Sequence, residues 1–355
     1  MLSGRRDALR RLLVDDACGL LVTSLPNIRY LSGFSGSNAA LFVSHDDPAD
    51  DIICTDGRYL TQVKDECPGL PVHPARSCAT ALVDLLSARG IGRIAVEDNL
   101  TIAIEQQLGK SVLLTPTSGL TEQLRAVKDA GEIELLARAG QITAAAMAQL
   151  FTEIRVGMSE ITVARRLEQL FGELGADDRA FETIVATGSG SASPHHHPTS
   201  RELAAGDLLV IDAGAKVLGY HADMTRTVVV GAEPVAWQVH IHGLVLAAQS
   251  AGVATCAPGV TLNSIDHAAR SIIEAAGFGA EFGHGLGHGV GLEIHEAPMI
   301  NARSTGSIWA NTPVTIEPGI YLPAQGGVRI EDTLVVEVAS IRVLTELSRE
   351  LAVVG

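Results

Sequence analysis

Residues 207–230, DLLVIDAGAKVLGYHADMTRTVVV, decide the fold of the larger part of this 355-residue chain. An apolar, β-branched run ends on Asp212, a stretch containing Gly219 reverses the chain, and a second apolar run begins after Asp223. Short strand-like runs bounded by turn residues predict a β-hairpin. A lone aspartate at a strand end is usually a turn former, but two at the seam of one hairpin need another explanation. Residues 312–336, TPVTIEPGIYLPAQGGVRIEDTLVV, repeat the pattern, with Glu317 before Pro318-Gly319, read as a turn, and Glu331 near Arg329. A glutamate beside an arginine can be a structural ion pair, yet that leaves the first pair of acids unexplained. Four acids brought together in one core cannot all stay ionised, because like charges raise each other's pKa. Two divalent cations would cancel the charge, and carboxylate oxygens plus one imidazole suit Mn, Co, Fe or Zn.

The imidazole comes from residues 282–296, FGHGLGHGVGLEIHE, where glycines at 283, 285, 287, 289 and 291 interleave with His284 and His288, followed by His295. Glycine at this density lets a backbone approach a ligand closely, and histidine is the commonest neutral metal ligand. A dinucleotide loop of G-x-G-x-x-G type is excluded, since no glycine stands at the sixth position after any G-x-G pair. The zincin H-E-x-x-H spacing is absent as well. Upstream, residues 181–200, FETIVATGSGSASPHHHPTS, place His195, His196 and His197 between prolines just before the first acid hairpin, as expected of an active-site lip.

The chain around these segments reads as two domains. Residues 1 to about 125 alternate strand-like runs (GLLVTS, AALFVS, DIICTD, RIAVED) with a helical one (ATALVDLLSARG), the pattern of a small α/β domain. The first nineteen residues suit an amphipathic helix and lack the apolar stretch of a signal peptide. From residue 126, Asp129 and Glu132 have capping-box spacing, and Ile133, Leu136, Ala137 and Gly140 begin one face of a long helix. Within 126–355 a diverged duplication is expected. Gly157-Met-Ser159 and Gly259-Val-Thr261 each open a helix that stops eighteen residues later, at Gly175 and Gly277, with Ser159 and Thr261 as N-caps. Each helix leads into a histidine-bearing segment and then an acid-bearing hairpin.

Composition is that of a soluble globular protein, 46% apolar and 19% charged. The net charge of −15 argues against nucleic acid or an anionic membrane as partner. Five cysteines without a C-x-x-C pair read as reduced thiols of a cytoplasmic protein.

Taken in order, IVATGSGSASPH, VIDAGAKVLGYHADMTRT, GHGLGHGVGLEIHEAP, TIEPGIY and GGVRIEDT resemble the successive motifs of the pita-bread metallopeptidases, in their proline-specific branch of Xaa-Pro aminopeptidases and Xaa-Pro dipeptidases. NIRYLSGFSGSNAALFV and TDGRY are similar to the N-terminal domain of its short bacterial members. The resemblance implies a small N-terminal α/β domain over 1–125 and a duplicated α+β pita-bread catalytic domain over 126–355. It implies two divalent metal ions, with Mn expected: Asp212 would chelate one, Asp223 and Glu331 would bridge both, and His288 and Glu317 would bind the second. Glu317 would also shuttle a proton, His195 and His295 would hydrogen-bond the scissile carbonyl, and His284 and Arg329 would line the substrate site, Arg329 gripping a carboxylate in a bidentate contact. His196 and His197 inherit no role from the motif. The resemblance further implies a homodimer acting on proline-containing peptides. The sequence-based expectation favours an aminopeptidase releasing the residue before proline, with a strict Xaa-Pro dipeptidase as the alternative and a non-enzymatic binding protein as the remote one.

Overall fold

The computed structural model describes residues 2–13 and 17–355, which divide into two compact units, Met1–Arg125 and Ala126–Gly355. The first is built on a six-stranded mixed sheet in the order Val72–Pro74, Ile52–Thr55, Ala39–Ser44, Gly19–Val22, Arg93–Glu97, Leu113–Thr117. Its central strands are buried along their whole length, which is why they read as continuous apolar runs rather than alternating ones. Helix Cys78–Ala88 puts Leu82, Val83 and Leu86 against Phe42, Ile94 and Val96, and each fully buried side chain of this kind contributes about 1.5–3 kcal/mol. The amphipathic start forms helix Leu2–Arg10, while positions 14–16 of that stretch lie outside the described residues.

The second unit repeats one design twice. Asp129 caps helix Ala130–Glu153 through the expected box, its carboxylate accepting from Glu132 N and its own N–H donating to Glu132, both at 2.9 Å. Helices Glu160–Glu173 and Leu262–Ala275 are 14 residues each. Gly157 and Gly259 precede them with φ of 87° and 89°, and Gly175 and Gly277 follow with φ of 91° and 87°, a left-handed conformation open to glycine at little cost. Even the isolated bridges match, Ser159 with Glu202 and Thr261 with Ser307. One detail differs from expectation. Ser159 caps its helix by accepting from Thr162 N, but the Thr261 hydroxyl makes no cap bond and donates to Asn263 Oδ1 at 2.7 Å instead.

Each half ends in an antiparallel pair of long strands. Leu208–Ala213 pairs with Met224–Val230, Asp212 facing Thr225, and Thr312–Ile316 pairs with Asp332–Val336, Ile316 facing Asp332. In both cases the hairpin tip breaks away as a separate small ribbon. It is Ala215–Val217 with Tyr220–His221 in the first half, where Asp178–Arg179 adds a third strand, and Gly319–Leu322 with Gly326–Arg329 in the second. Pro318-Gly319 is therefore no turn. The chain runs straight on into the ribbon and reverses at 323–325, where Ala324 takes a φ of 64°. All four acids stand at or beside the handover from sheet to ribbon. The halves are stitched along this seam, with Glu331 N donating to Thr225 O at 3.1 Å, Thr333 Oγ1 to Asp223 O at 2.8 Å and Thr227 Oγ1 to Arg329 O at 2.9 Å.

The glycine-rich segment supplies strand Gly287–Gly289, pairing with both Glu296–Ile300 and Thr312–Ile316. A Cβ on Gly287 would lie 1.9 Å from Thr315 O, and one on Gly289 would lie 2.3 Å from Ala297 O. These glycines admit a neighbouring backbone, where the sequence suggested room for a ligand.

Candidate active site

Where the two hairpins and the glycine-rich strand meet, a cavity of about 550 Å³ opens. Asp212, Asp223, His288, Glu317, Glu331, His195, His295, His284 and Arg329, the full set expected from the sequence, all line it. Phe181, Ile184, Ile294 and Met299 add an apolar flank.

Asp223, His288 and Glu331 form the tightest group, each offering a ligand atom within 4.8 Å of the others, and all three are buried. Glu317 approaches from the side, its Oε1 3.5 Å from His288 Nε2. It is the most open of the four acids, with 19% of its side chain exposed. Asp212 is drawn the other way, its Oδ2 accepting from Arg329 Nη2 at 2.7 Å. Its second oxygen, Oδ1, is buried and has no hydrogen-bond partner among the described residues. Leaving a buried charged oxygen unsatisfied costs about 1–3 kcal/mol or more.

The electrostatics follow from that crowding. Burial, then the charges of Glu331, Asp212 and Glu317, push Asp223 well above the usual carboxylate range. Glu331 is raised well above it too, by burial and then by Glu317 and Asp212. Burial lifts Glu317 to about 8, Arg329 opposing and Asp212 reinforcing the shift. Burial also lowers His288 to about 4, so its ring is neutral at pH 7. His288 Nδ1 lies 3.0 Å from Gly289 O, which can only accept, and this places the ring proton on Nδ1. Nε2 therefore turns a lone pair toward Asp223 Oδ2 and Glu317 Oε1, each 3.5 Å away. A proton or a cation must lie between groups that face one another in this way. With the orphaned Asp212 oxygen, the donor set fits divalent metal.

Around the acids lies a second set of side chains. Arg329 is buried, and four of its five N–H groups are engaged: Nε with Thr225 Oγ1 at 3.0 Å, Nη1 with Tyr321 Oη at 2.8 Å and Pro194 O at 3.4 Å, and Nη2 with Asp212. A two-pronged grip on a substrate carboxylate is not available to it in this geometry, a correction to the role expected from the sequence. Tyr321, to which the sequence alone assigns no role, accepts from Arg329 and sits 3.0 Å from His284 Nε2. His284 Nδ1 faces Gly285 O at 2.8 Å, so Nε2 accepts from the tyrosine hydroxyl, and burial holds this ring at about 4, hence neutral. Thr225, also unforeseen, donates to Glu331 Oε2 at 2.7 Å. His295 stacks edge-on against His288 with ring centroids 4.5 Å apart. Burial, then proximity to His195, lowers its pKa. The next residue, Glu296, is held in a buried ion pair with Lys128 at 2.8 Å.

The chain matches the model of metallopeptidase family M24 over residues 134–337 and that of the creatinase/prolidase N-terminal domain over residues 5–127. It is 34% identical over 345 residues to an Xaa-Pro dipeptidase of Pyrococcus horikoshii, covering 94% of this chain and 93% of that protein. Among solved structures, an Xaa-Pro dipeptidase from Bacillus anthracis superposes with a TM-score of 0.94 at 35% identity, covering 100% of both chains. An X-Pro aminopeptidase from Thermotoga maritima superposes with a TM-score of 0.88 at 34% identity, covering 98% of this chain and 99% of that one.

Proposed function

The chain belongs to metallopeptidase family M24, and on that premise we propose that it is an Xaa-Pro dipeptidase, a dinuclear-metal exopeptidase that hydrolyses the bond before proline in dipeptides. The observation that carries the hydrolytic reading is His288, whose Nε2 lone pair faces two carboxylate oxygens at 3.5 Å. The preference for dipeptides reverses the aminopeptidase favoured by the sequence. It draws its support from the likeness to proteins named Xaa-Pro dipeptidase over nearly the whole chain.

Asp212, Asp223, His288, Glu317 and Glu331 would hold two divalent cations, with Mn expected for a set made of oxygens and one imidazole. When bound, such a pair supplies Lewis acidity toward the scissile carbonyl and lowers the pKa of a water. Glu317, at the open side of the acid cluster, takes the proton from the attacking water and passes it to the proline nitrogen as that nitrogen leaves. His195 and His295 donate hydrogen bonds to the carbonyl oxygen as it gains charge. Arg329 holds Asp212 in place and orders Tyr321, which in turn fixes His284 at the substrate side. The apolar flank of Phe181, Ile184, Ile294 and Met299 suits a pyrrolidine ring, and a tertiary amide brings no N–H for the site to satisfy.

The reading takes residues 1–125 as the N-terminal domain and 126–355 as the catalytic one, in a homodimer of the cytoplasm with peptides as its partners. Five cysteines, none in a disulfide, suit a reducing compartment. The test is hydrolysis of an Xaa-Pro dipeptide beside an Xaa-Pro-Xaa tripeptide by stripped protein reloaded with Mn, Co or Zn, with the mass in solution measured alongside. Turnover of the dipeptide alone is expected. Equal or faster turnover of the tripeptide would restore the aminopeptidase, and no turnover of either under any metal would end the enzymatic reading.

A further inference from the structure

One buried carboxylate beside the cleft has no part in metal or substrate chemistry. Glu160, in the first turn of helix Glu160–Glu173, is 0% exposed. An ionised group at such depth persists only when well supplied with hydrogen bonds, and Glu160 receives four. Oε1 accepts from Thr187 N at 2.9 Å. Oε2 accepts from Thr199 N at 2.9 Å and Thr199 Oγ1 at 2.7 Å, and lies 2.9 Å from His196 Nε2. Burial alone would raise its pKa, but the bonds from His196, Thr187 and Thr199 outweigh it and hold the group below the usual value.

The placement of the donors is what matters. Thr187 closes strand Ile184–Thr187, and Thr199 lies just past the histidine run. A single carboxylate therefore draws together both ends of the segment that presents His195, and it grips the residue next to His195 as well. The far side of the segment is held separately, by Ser191 Oγ accepting from Gly327 N at 2.9 Å and Pro194 O accepting from Arg329. His197 has no comparable anchor: its side chain is 82% exposed and 3.6 Å from Glu182. All three histidines border the cavity, but they are held differently: His196 is tied to Glu160 and partly buried, whereas His197 is largely exposed.

We propose that Glu160 and His196 form a positioning unit for His195, with the His196–Glu160 contact fixing the backbone from which His195 reaches the scissile carbonyl. The inference rests on the role given to His195 above and assigns to His196 a function that the motif does not contain. A misplacement of a catalytic group by about 1 Å can cost on the order of 10²-fold in rate. Loss of one of four anchors, with the segment otherwise held, should cost about tenfold.

The test uses full-length, metal-loaded protein and an Xaa-Pro dipeptide. His196→Ala should lower kcat about tenfold, with KM and metal content unchanged. His196→Gln, whose amide can still donate to Glu160, should recover most of that loss. His195→Ala should lower kcat by about 10². In that background, His196→Ala should lower kcat no further, although its effect on melting temperature should be the same in both backgrounds. Wild-type kcat in His196→Ala, or a tenfold loss repeated on top of His195→Ala, would overturn the proposal, the latter by revealing general damage to the fold. A His195→Ala enzyme with normal kcat would instead remove the role of His195, and the proposal with it.

Discussion

The two acid-bearing hairpins of the larger unit break from sheet to ribbon at corresponding places, but they do not hold their acids in the same way. Asp212 of the first hairpin is held by Arg329 of the second, and Glu331 of the second is held by Thr225 of the first. Thr225 also accepts from Arg329, so the two supports are one network. The histidine-bearing segments differ more. In the second half, His288 sits on a strand fixed by ladder hydrogen bonds, and glycines let the neighbouring backbones close in. In the first half, His195 sits on an irregular segment fixed by a side chain, the Glu160 carboxylate. The repeated frame keeps its acids at corresponding places, while its histidines are supported by different physics, backbone in one half and side chain in the other.

The largest expected effect breaks the equivalence of the acids. Glu331→Gln removes a charge from the tightest group while leaving Thr225 a partner of similar shape. Metal affinity should fall by more than the roughly 10–100-fold typical of outer-sphere partners, and turnover should fall to the assay floor with the fold retained. A variant that keeps two metals per chain and normal kcat would refute the assignment of the acids. The next effect sharpens the contrast in backbone support. Gly287→Ala places a Cβ 1.9 Å from a carbonyl oxygen, whereas nothing lies within 4 Å of a Cβ at Gly283. Gly287→Ala should lose about 1–3 kcal/mol or more in denaturant unfolding, and Gly283→Ala should stay within about 0.5 kcal/mol of the parent. Equal losses would mean that the segment is not held by close strand approach.

The smallest effect is a slope with pH. In the metal-free protein the folded pKa values of Asp223, Glu317 and Glu331 are raised, Glu317 to about 8. At pH 7 the cluster therefore retains protons that metal must displace. Apparent metal affinity should rise as pH rises through about 8, where Glu317 loses its proton, and binding at pH 7 should release protons, measurable by titration calorimetry in buffers of different ionisation enthalpy. Binding without proton release would show that the acids are already ionised before metal arrives.

The acids were legible in the sequence because each ends or begins a β-branched run, and the capping box and bracketing glycines because their signals are local. Tyr321, Thr225 and Glu160 were not. Their roles depend on partners brought close only by the fold: Tyr321 meets His284 across 37 positions, Glu160 meets His196 across 36, and Thr225 meets Glu331 across 106. The sequence predicts an outward role for Arg329, since its neighbours along the chain do not reveal that Asp212, Thr225 and Tyr321 consume its donors. Residue type alone predicts a turn at Pro318-Gly319, while the ribbon that continues through it is fixed by pairing with Gly326–Arg329.

The cross-bracing of the hairpins bears on descent. Two acids on one hairpin, with their supports on another, do not make a working centre, so a half-length forebear could have carried the chemistry only as a pair of identical chains meeting on a twofold axis. Within a single chain each side can differ without the other, and the two sides do differ: an imidazole faces the acids in one half, and a triple histidine stands at the lip in the other.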